Sequence, residues 1–419
     1  MISTRSVIEE EVKRIKERIS RDISKKDEIF RIGIEIEACL LDDLSNSVNS
    51  HELIQYFKQS DYKVDYEYGS CQFEYKTNPI PINELDKIYT ETIEFLEYLH
   101  SVIQKISRKN NRKILPVFLG SNPSPTIFSK DMITDNIRYR KIAKWQKNIS
   151  DAEIDGDKIK AFKIASAIQG IHINIQGKNP QHTIQMYNHI LNLIPTTILM
   201  GSSGRLLSGK LYSIYEPRIF LYDQSENQNS GFPSIPQYFK DMNEYVEYIK
   251  SKPSILAKDY YELEKERHDD VRIRLNTNYY RIETRMLSVQ SSIREIFSFI
   301  ELFVGYIHKS ICSDRKLRPL VSIREEREAV IRSGYKARTH FDLIESAQNQ
   351  INIAKKGLME LGIKPKFISI LDKRIQNHRS PSEYIAEEWD KCYNGNPQKT
   401  VNEIVERIWD KTINNQEII

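Results

Sequence analysis

The chain is poor in cysteine and has no long apolar segment. Its 419 residues include four cysteines, which are scattered without a CxxC pair. This distribution argues against a disulfide framework and against a zinc knuckle, and it favours a cytoplasmic protein. No apolar run approaches the ~18 residues of a membrane span. The N-terminus has the charged pattern of a surface helix rather than of a signal peptide, so we expect no membrane association.

The chain also lacks an excess of either charge and every standard phosphate-binding loop. It has 62 basic and 58 acidic residues, a net charge of +4, so no nucleic-acid partner is expected. It contains no Walker A motif, no GxGxxG and no kinase signature, so none of these motifs indicates a nucleotide site. The 23 tyrosines and 15 phenylalanines, within a hydrophobic content of 39%, indicate a folded chain with a large core.

One early segment, residues 31–41, has the period of a β-strand with two acidic side chains on one face. Isoleucines alternate there with Glu35 and Glu37. Residues i and i+2 of a strand lie roughly 7 Å apart, a spacing that suits two neighbouring metal ions with one carboxylate each. An edge strand with two solvated glutamates explains this segment equally well.

The next acidic pair is Glu67 and Glu74, within predicted strands at 63–67 and 71–77. A separation of seven residues puts the two side chains on opposite faces of one continuous strand. They share a face only if the chain turns between them, and Gly69-Ser70 is a turn signal.

Two later strands repeat the pattern of one polar face. Isoleucines alternate with His172 and Asn174 in one of them, and Arg281, Glu283 and Arg285 share a face of the other. Taken singly, a histidine such as His172 is more often a core residue, and a glutamate such as Glu283 is more often part of a cross-strand ion pair.

Helical periodicity covers much of the remaining chain. Helices are predicted over 1–29, 51–59, 83–109, 135–145, 180–200 with a break at Pro195, 243–251 and most of the chain after 291. Residues 114–119 read as a buried strand, 147–160 as a polar surface segment and 201–220 as a basic loop. Near residue 315 the sequence changes gradually to an all-helical, charge-rich pattern. This change divides the chain into a catalytic domain, 1–315, and a helical C-terminal extension, 316–419.

The polar faces together indicate metal chemistry. Carboxylate oxygens are the ligands that Mg²⁺ and Mn²⁺ prefer, and one imidazole is compatible with them. Clustered carboxylates would repel one another unless divalent ions stabilised them. Arg281 and Arg285 beside Glu283 suit a phosphate or a substrate carboxylate. The residue types thus indicate a metal-dependent enzyme, for which phosphoryl transfer from ATP is one hypothesis.

The order and the residue motifs of these segments resemble those of the glutamate–cysteine ligase family, the carboxylate–amine ligases related to glutamine synthetase. The resemblance covers about residues 30–310. Its motifs are G-x-E-x-E at 33–37, acidic ligands seven apart at Glu67 and Glu74, H-V-H-V at 172–175, T-x-E-x-R at 281–285, and shorter matches of G-T-H-P at 120–123 and R-Y at 138–139.

The resemblance implies an α+β fold, in which a curved antiparallel β-sheet of the glutamine synthetase type is flanked by helices and followed by a helical C-terminal tail. It implies two or three Mg²⁺ or Mn²⁺ ions, with ATP lying across them. The metal ligands by this resemblance are Glu35, Glu37, Glu67, Glu74, His172 and Glu283.

The resemblance further implies transfer of the γ-phosphate of ATP to a substrate carboxylate, attack of an amine on the acyl phosphate, and release of an amide, ADP and phosphate. Glutamate and cysteine are the leading substrates, although a peptide, a polyamine or another amine is nearly as well supported. Glu283 and Arg285 are the predicted catalytic residues. Arg285, Arg272 and Arg218 are the predicted nucleotide-binding residues, with a surface position equally open for Arg218 and Arg272. A homo-oligomer is also open.

Three departures from the family pattern concern the substrates. Asn174 and Asn122 stand where the family has histidines, and 267–270 replace a tryptophan-rich segment. They leave the predicted metal ligands intact but put the identity of both substrates in doubt. Two other functions remain as alternatives: a phosphotransferase of the guanidino kinase type, and a catalytically degenerate nucleotide-binding protein.

Overall fold

The centre of the fold is an eight-stranded sheet in which every strand pairing is antiparallel. A computed structural model describes residues 4–23, 30–225, 229–275 and 279–418. The strands are β1 (Arg31–Asp42), β2 (Lys63–Tyr66), β3 (Gln72–Lys76), β4 (Ile80–Pro81), β5 (Ile114–Val117), β6 (Ala152–Ile154), β7 (Asp157–Ile159), β8 (Gly170–Gln176), β9 (Leu206–Leu207), β10 (Lys210–Leu211), β11 (Ser230–Gly231), β12 (His268–Asp269), β13 (Val271–Arg274) and β14 (Arg281–Ser288).

The main sheet has the order β13-β14-β8-β1-β3-β2, and β4 and β5 also pair with β1. The strand β1 is long enough to pair with β3, β4, β5 and β8 along its length. Three two-stranded sheets lie outside this path: β6-β7 and β9-β10 are antiparallel, and β11-β12 is parallel. The predicted antiparallel sheet is thus present, with β1 at its centre.

Helices flank the sheet, and they come from all parts of the described chain. They are α1 (Thr4–Asp22), α2 (His51–Phe57), α3 (Leu85–Lys109), α4 (Ile137–Gln146), α5 (Ala161–Ile164), α6 (Pro180–Ile190), α7 (Ile194–Gly201), α8 (Pro217–Ser225), α9 (Met242–Lys250), α10 (Tyr260–Lys265), α11 (Ile293–Cys312), α12 (Leu320–Ser333), α13 (Leu343–Glu360), α14 (Ser369–Gln376), α15 (Pro381–Cys392) and α16 (Pro397–Ile413). Among the described residues, no helix has both the length and the apolar character that crossing a bilayer requires.

The core lies on the isoleucine face of the sheet. Ile34 on β1 is opposite Ile173 on β8, and both side chains are fully buried. The helices α6 and α7 pack against this part of the sheet through β13 and β14. The period of two therefore puts apolar side chains into the core and leaves the glutamates between them on the other face.

The predicted helices agree with the structure in position but not always in extent. The helix predicted over 1–29 is α1, and residues 1–3 and 24–29 lie outside the described residues. The predicted break at Pro195 is confirmed, since a 3₁₀ turn (Leu191–Leu193) separates α6 from α7 and Pro195 lies in the first turn of α7. Proline is tolerated there because the first helical N–H groups need no partner within the helix.

Two segments contain more regular structure than the sequence indicated. Residues 147–160, expected as a polar surface segment, include the hairpin β6-β7, where Ala152 and Ile154 are buried. Residues 201–220, expected as a loop, include β9, β10 and the start of α8. These elements are very short or lack a clear hydrophobic period, which is the signal that sequence reasoning uses.

The chain after residue 315 is helical, as expected. The helix α13 packs along α11, α12 contacts α7 and α8, and α16 contacts α3 and β5. These helices therefore contact elements of the sheet-bearing part at several places. The division into 1–315 and 316–419 remains a prediction.

Replacing Ile34 with alanine should destabilise the protein by about 2–5 kcal/mol, because it leaves a cavity at the centre of the core. Ile34 is 1% exposed. Met359→Ala is the matched control, since Met359 is 62% exposed and surface substitutions change stability by about 0.5 kcal/mol or less. Denaturant unfolding of both variants measures the difference. Equal losses would contradict the assignment of the isoleucine face to the core.

Candidate metal and anion site

The strand register brings the predicted ligands onto one face of the sheet. Glu35 on β1 is directly opposite His172 on β8, and Glu37 is opposite Glu74 on β3. Directly opposed residues of an antiparallel pair point to the same face. Three neighbouring strands therefore present their carboxylates and an imidazole side by side.

His172 is at the centre of this cluster. Its Nδ1 lies 3.0 Å from Glu35 Oε2 and 3.9 Å from Glu74 Oε1. Its Nε2 lies 3.5 Å from Glu37 Oε1. The side chain is buried, but its neighbours are carboxylates rather than apolar groups. These neighbours distinguish His172 from a histidine packed among apolar side chains, and metal ligation by His172 remains a prediction.

A turn between β2 and β3 puts Glu67 beside Glu74. The Gln72 backbone N–H donates to the Gly69 carbonyl at 2.9 Å, and the Gln72 side chain accepts from the Gly69 N–H at 2.7 Å. A Cβ atom at Gly69 would lie 2.5 Å from Gln72 Oε1 and 2.9 Å from the Ser166 Cα, so only glycine fits. The odd spacing is thus resolved by a turn, as predicted.

A cavity of about 620 Å³ opens over this face. Its lining includes five of the six predicted ligands: Glu35, Glu37, Glu67, Glu74 and His172. Asn174, which replaces the family's second histidine, donates from Nδ2 to Glu35 Oε1 at 3.2 Å, and its Oδ1 is buried without a hydrogen-bond partner among the described residues. Asn122, in contrast, donates to Ser47 Oγ at 3.1 Å and to Cys71 Sγ at 3.5 Å.

Glu283, the sixth predicted ligand, is 1% exposed and is surrounded by arginines. One of its oxygens lies within 4.8 Å of ligand atoms of Glu35 and His172. Its carboxylate also pairs with Arg272 and Arg285 at 2.7 Å each and with Arg274 at 3.4 Å. Burial opposes ionisation, but these arginines hold the pKa of Glu283 well below its usual value. The ion pairs that the sequence indicated for Glu283 are therefore present in the structure, and metal ligation by Glu283 remains a prediction.

The arginines form the other side of the cavity. Arg218 and Arg272 are 7% and 6% exposed and line it together with Arg285, so the surface alternative for the first two is wrong. Arg272 donates to Glu283, to the Lys265 carbonyl at 3.3 Å and to the Arg267 carbonyl. Its bonds to protein oxygens hold Glu283 in place, and its predicted contact with the nucleotide remains a prediction.

Arg218 and Arg285 are not fully hydrogen-bonded within the protein. The Nε atoms of both are buried and have no hydrogen-bond partner within the described part of the chain. Arg218 also donates to the Arg285 carbonyl at 2.9 Å. A buried, unpartnered guanidinium N–H is costly unless an acceptor such as a phosphate oxygen occupies the cavity.

Several cationic residues of the site were not identified from the sequence. Lys76 pairs with Glu74 at 2.6 Å, and Arg274 and Lys265 also line the cavity. Lys76 could have been found, because it shares the period of Glu74 along β3. Arg274 shares the period of Arg272, but β13 has only four residues and was not recognised as a strand.

Burial and mutual repulsion favour the neutral form of two of the carboxylates. Burial, and repulsion by Glu37, raise the pKa of Glu67 to about 7. Burial, and repulsion by Glu67 and Glu35, raise the pKa of Glu74 well above its usual value. Burial alone would also raise the pKa of Glu35, but the hydrogen bond from His172 lowers it to about 2. The site therefore holds protons where a cation could replace them.

The donor set fits a hard divalent cation. His172 Nε2 is buried without a hydrogen-bond partner among the described residues, and a Glu37 oxygen lies beside it. Two groups of three ligands, Glu35 with His172 and Glu283, and Glu37 with Glu74 and His172, have donor atoms within 4.8 Å of one another. Carboxylate oxygens with a single imidazole suit Mg²⁺ or Mn²⁺ better than zinc or copper.

Metal binding should become tighter as the pH rises through about 7. Glu67 is mostly protonated at pH 6 and mostly ionised at pH 8, and a metal must displace that proton. Calorimetric titration with Mn²⁺ should show an affinity about tenfold higher at pH 8 than at pH 6, because binding displaces one proton. Glu67→Gln should reduce this dependence. An affinity independent of pH would contradict the protonated cluster.

A comparison of the sequence with known protein families agrees with the resemblance described above. A sequence profile described as glutamate-cysteine ligase family 2 (GCS2) matches residues 31–365. The match extends beyond the expected limit near residue 310 and takes in α12 and α13. No curated protein sequence matches the chain significantly.

Solved structures share the fold at low sequence identity. A bifunctional glutathione synthetase from Pasteurella multocida is 13% identical with a TM-score of 0.61, over 94% of this chain and 54% of that one. The chain thus spans about half the length of that protein. A glutamate–cysteine ligase from Francisella tularensis, solved in complex with AMP, is 13% identical with a TM-score of 0.52, over 91% of this chain and 89% of that one.

The profile covers most of the chain, and the fold agrees with it. The chain belongs to glutamate-cysteine ligase family 2.

Proposed function

We propose that the protein is an ATP-dependent carboxylate–amine ligase that forms an amide through an acyl phosphate. Glutamate is the leading carboxylate substrate and cysteine the leading amine, with other amines open. The observation that carries the proposal is the convergence of carboxylates and His172 opposite buried arginines in one cavity. Family membership and the shared fold support the same conclusion.

The acidic side of the cavity is suited to hold Mg²⁺ or Mn²⁺. Glu35, Glu37, Glu74 and His172 would supply ligands, together with Glu67 and Glu283. Bound divalent ions neutralise phosphate oxygens and align the transferring group. All of these residues except Glu67 lie on paired strands, so the main sheet holds their spacing before any ligand binds.

The basic side is suited to the anionic groups of the reaction. Arg285 and Arg218 line the cavity, the Nε of each is buried without a hydrogen-bond partner among the described residues, and Glu283 holds Arg285 at 2.7 Å. Donors fixed in advance stabilise charge that develops on a phosphoryl group or on a tetrahedral carbon, because they need no reorganisation during the reaction. Arg285 is therefore the strongest candidate for a catalytic arginine.

The reaction has two steps with balanced products. The carboxylate attacks the γ-phosphorus, the bond to the β,γ-bridging oxygen breaks, and ADP leaves. The amine nitrogen then attacks the acyl carbon, phosphate leaves with the bonding electron pair, and the amine loses a proton. Amide, ADP and phosphate form in equal amounts.

Release of ADP and phosphate, measured with glutamate and a panel of amines, tests the proposal. ADP and phosphate should appear in equal amounts and only when an effective amine is present at saturating glutamate. Glu37→Gln should lower the rate by about a hundredfold, the larger loss reported for changes around metal sites. The control is Glu97→Gln, an exposed glutamate on α3, which should leave the rate unchanged.

Other outcomes would point elsewhere. ADP without phosphate would favour a phosphotransferase of the guanidino kinase type. Nucleotide binding without turnover by any amine would favour a degenerate binding protein. Either outcome would overturn the ligase proposal.

A further inference from the structure

Arg327 is a buried arginine of the C-terminal helices, in a part of the chain to which the sequence assigned no role. It lies on α12 and is 1% exposed. A buried guanidinium is stable only when it is paired and hydrogen-bonded, because its desolvation costs several kcal/mol. Its partners therefore identify what this helix holds together.

Two aspartates from different elements share the Arg327 guanidinium. Asp270, between β12 and β13, accepts from Nε at 2.5 Å and from Nη2 at 3.0 Å. Asp223, on α8, accepts from Nη1 at 2.8 Å and from Nη2 at 3.3 Å. Arg327 therefore binds both carboxylates in a bidentate manner and holds α8 against the strand that begins at Val271.

Each aspartate is connected to the arginines of the cavity, Asp270 through its own carbonyl and Asp223 through the helix on which it lies. The Arg285 backbone N–H donates to the Asp270 carbonyl at 2.7 Å. The Arg285 carbonyl accepts from Arg218, which lies on the same helix as Asp223. The backbone of Arg285 is thus fixed on both sides by the two elements that Arg327 joins.

We propose that Arg327 is a positioning residue, through which the C-terminal helices set the placement of Arg285 and Arg218 for phosphate binding. This inference rests on the proposed function. Within the described residues, Arg327 makes no hydrogen bond or ion pair with Arg285 or Arg218, so its effect passes through Asp270 and Asp223. Loss of the guanidinium would leave the buried Asp270 carboxylate facing the partly exposed carboxylate of Asp223 and push α8 away from β13.

The test compares Arg327→Lys with Arg374→Lys. An ammonium cannot make both bidentate contacts, so Arg327→Lys loosens the junction while it keeps the charge. Arg374 is also fully buried in the C-terminal helices, but its partners are Glu295, Gln290 and the Met200 carbonyl, none of which hydrogen-bonds to Arg285 or Arg218 within the described residues. It is therefore a matched control for a general loss of stability.

Calorimetric binding of Mg²⁺·ADP is the primary measurement, with Tm recorded for each variant. Arg327→Lys should raise the Kd about tenfold and raise the KM for ATP more than the KM for glutamate, a range typical of changes behind directly contacting residues. Arg374→Lys should lower the Tm and leave the Kd unchanged. Asp223→Asn, which weakens one contact only, should raise the Kd by a smaller factor.

Each result supports or overturns the inference. An unchanged Kd in Arg327→Lys and Asp223→Asn, with a lowered Tm, would show that Arg327 is merely structural. An equal rise in Kd for Arg374→Lys, or equal rises in the KM of both substrates, would also overturn it. Absence of Mg²⁺·ADP binding by the unmodified protein would instead contradict the proposed function.

Discussion

The mutual repulsion of clustered carboxylates is the constraint on which this structure depends. Glu35, Glu37, Glu67 and Glu74 come together on one face of the sheet, around a single imidazole. Burial keeps water from screening them, so two of them have raised pKa values. A site of this kind is stable with protons or with cations, and only cations make it useful for phosphate chemistry.

The opposite charges reach the cavity from a different part of the chain. The strands β13 and β14 supply Arg272, Arg274 and Arg285, and Glu283 between them keeps these guanidinium groups from repelling one another. The helix α8 adds Arg218, and α12 supports α8 through Arg327. The predicted acidic ligands thus come mainly from the N-terminal strands, and the arginines come from later elements, of which α8 is bonded to α12 through Arg327.

The sequence predicted which acidic side chains come together better than it predicted the elements around them. The alternation of isoleucine with Glu35, Glu37 and His172 was enough to predict two strands with one polar face each, because burial on one face imposes a strict period of two. The turn at Gly69 followed from an odd spacing. The four-residue strand β13 and the helix α8 gave no comparable signal, so the burial of Arg218 and Arg272 could not be predicted. Arg327 on α12 gave no signal in the sequence, since only the tertiary fold brings Asp223 and Asp270 to it.

The most direct test is a crystal structure with Mn²⁺ and a non-hydrolysable ATP analogue, in which anomalous scattering locates the metal. The account predicts manganese peaks within coordination distance of Glu35, Glu37, Glu74 or His172, with the triphosphate between these peaks and Arg285. Manganese bound elsewhere, or a nucleotide bound outside this cavity, would contradict it.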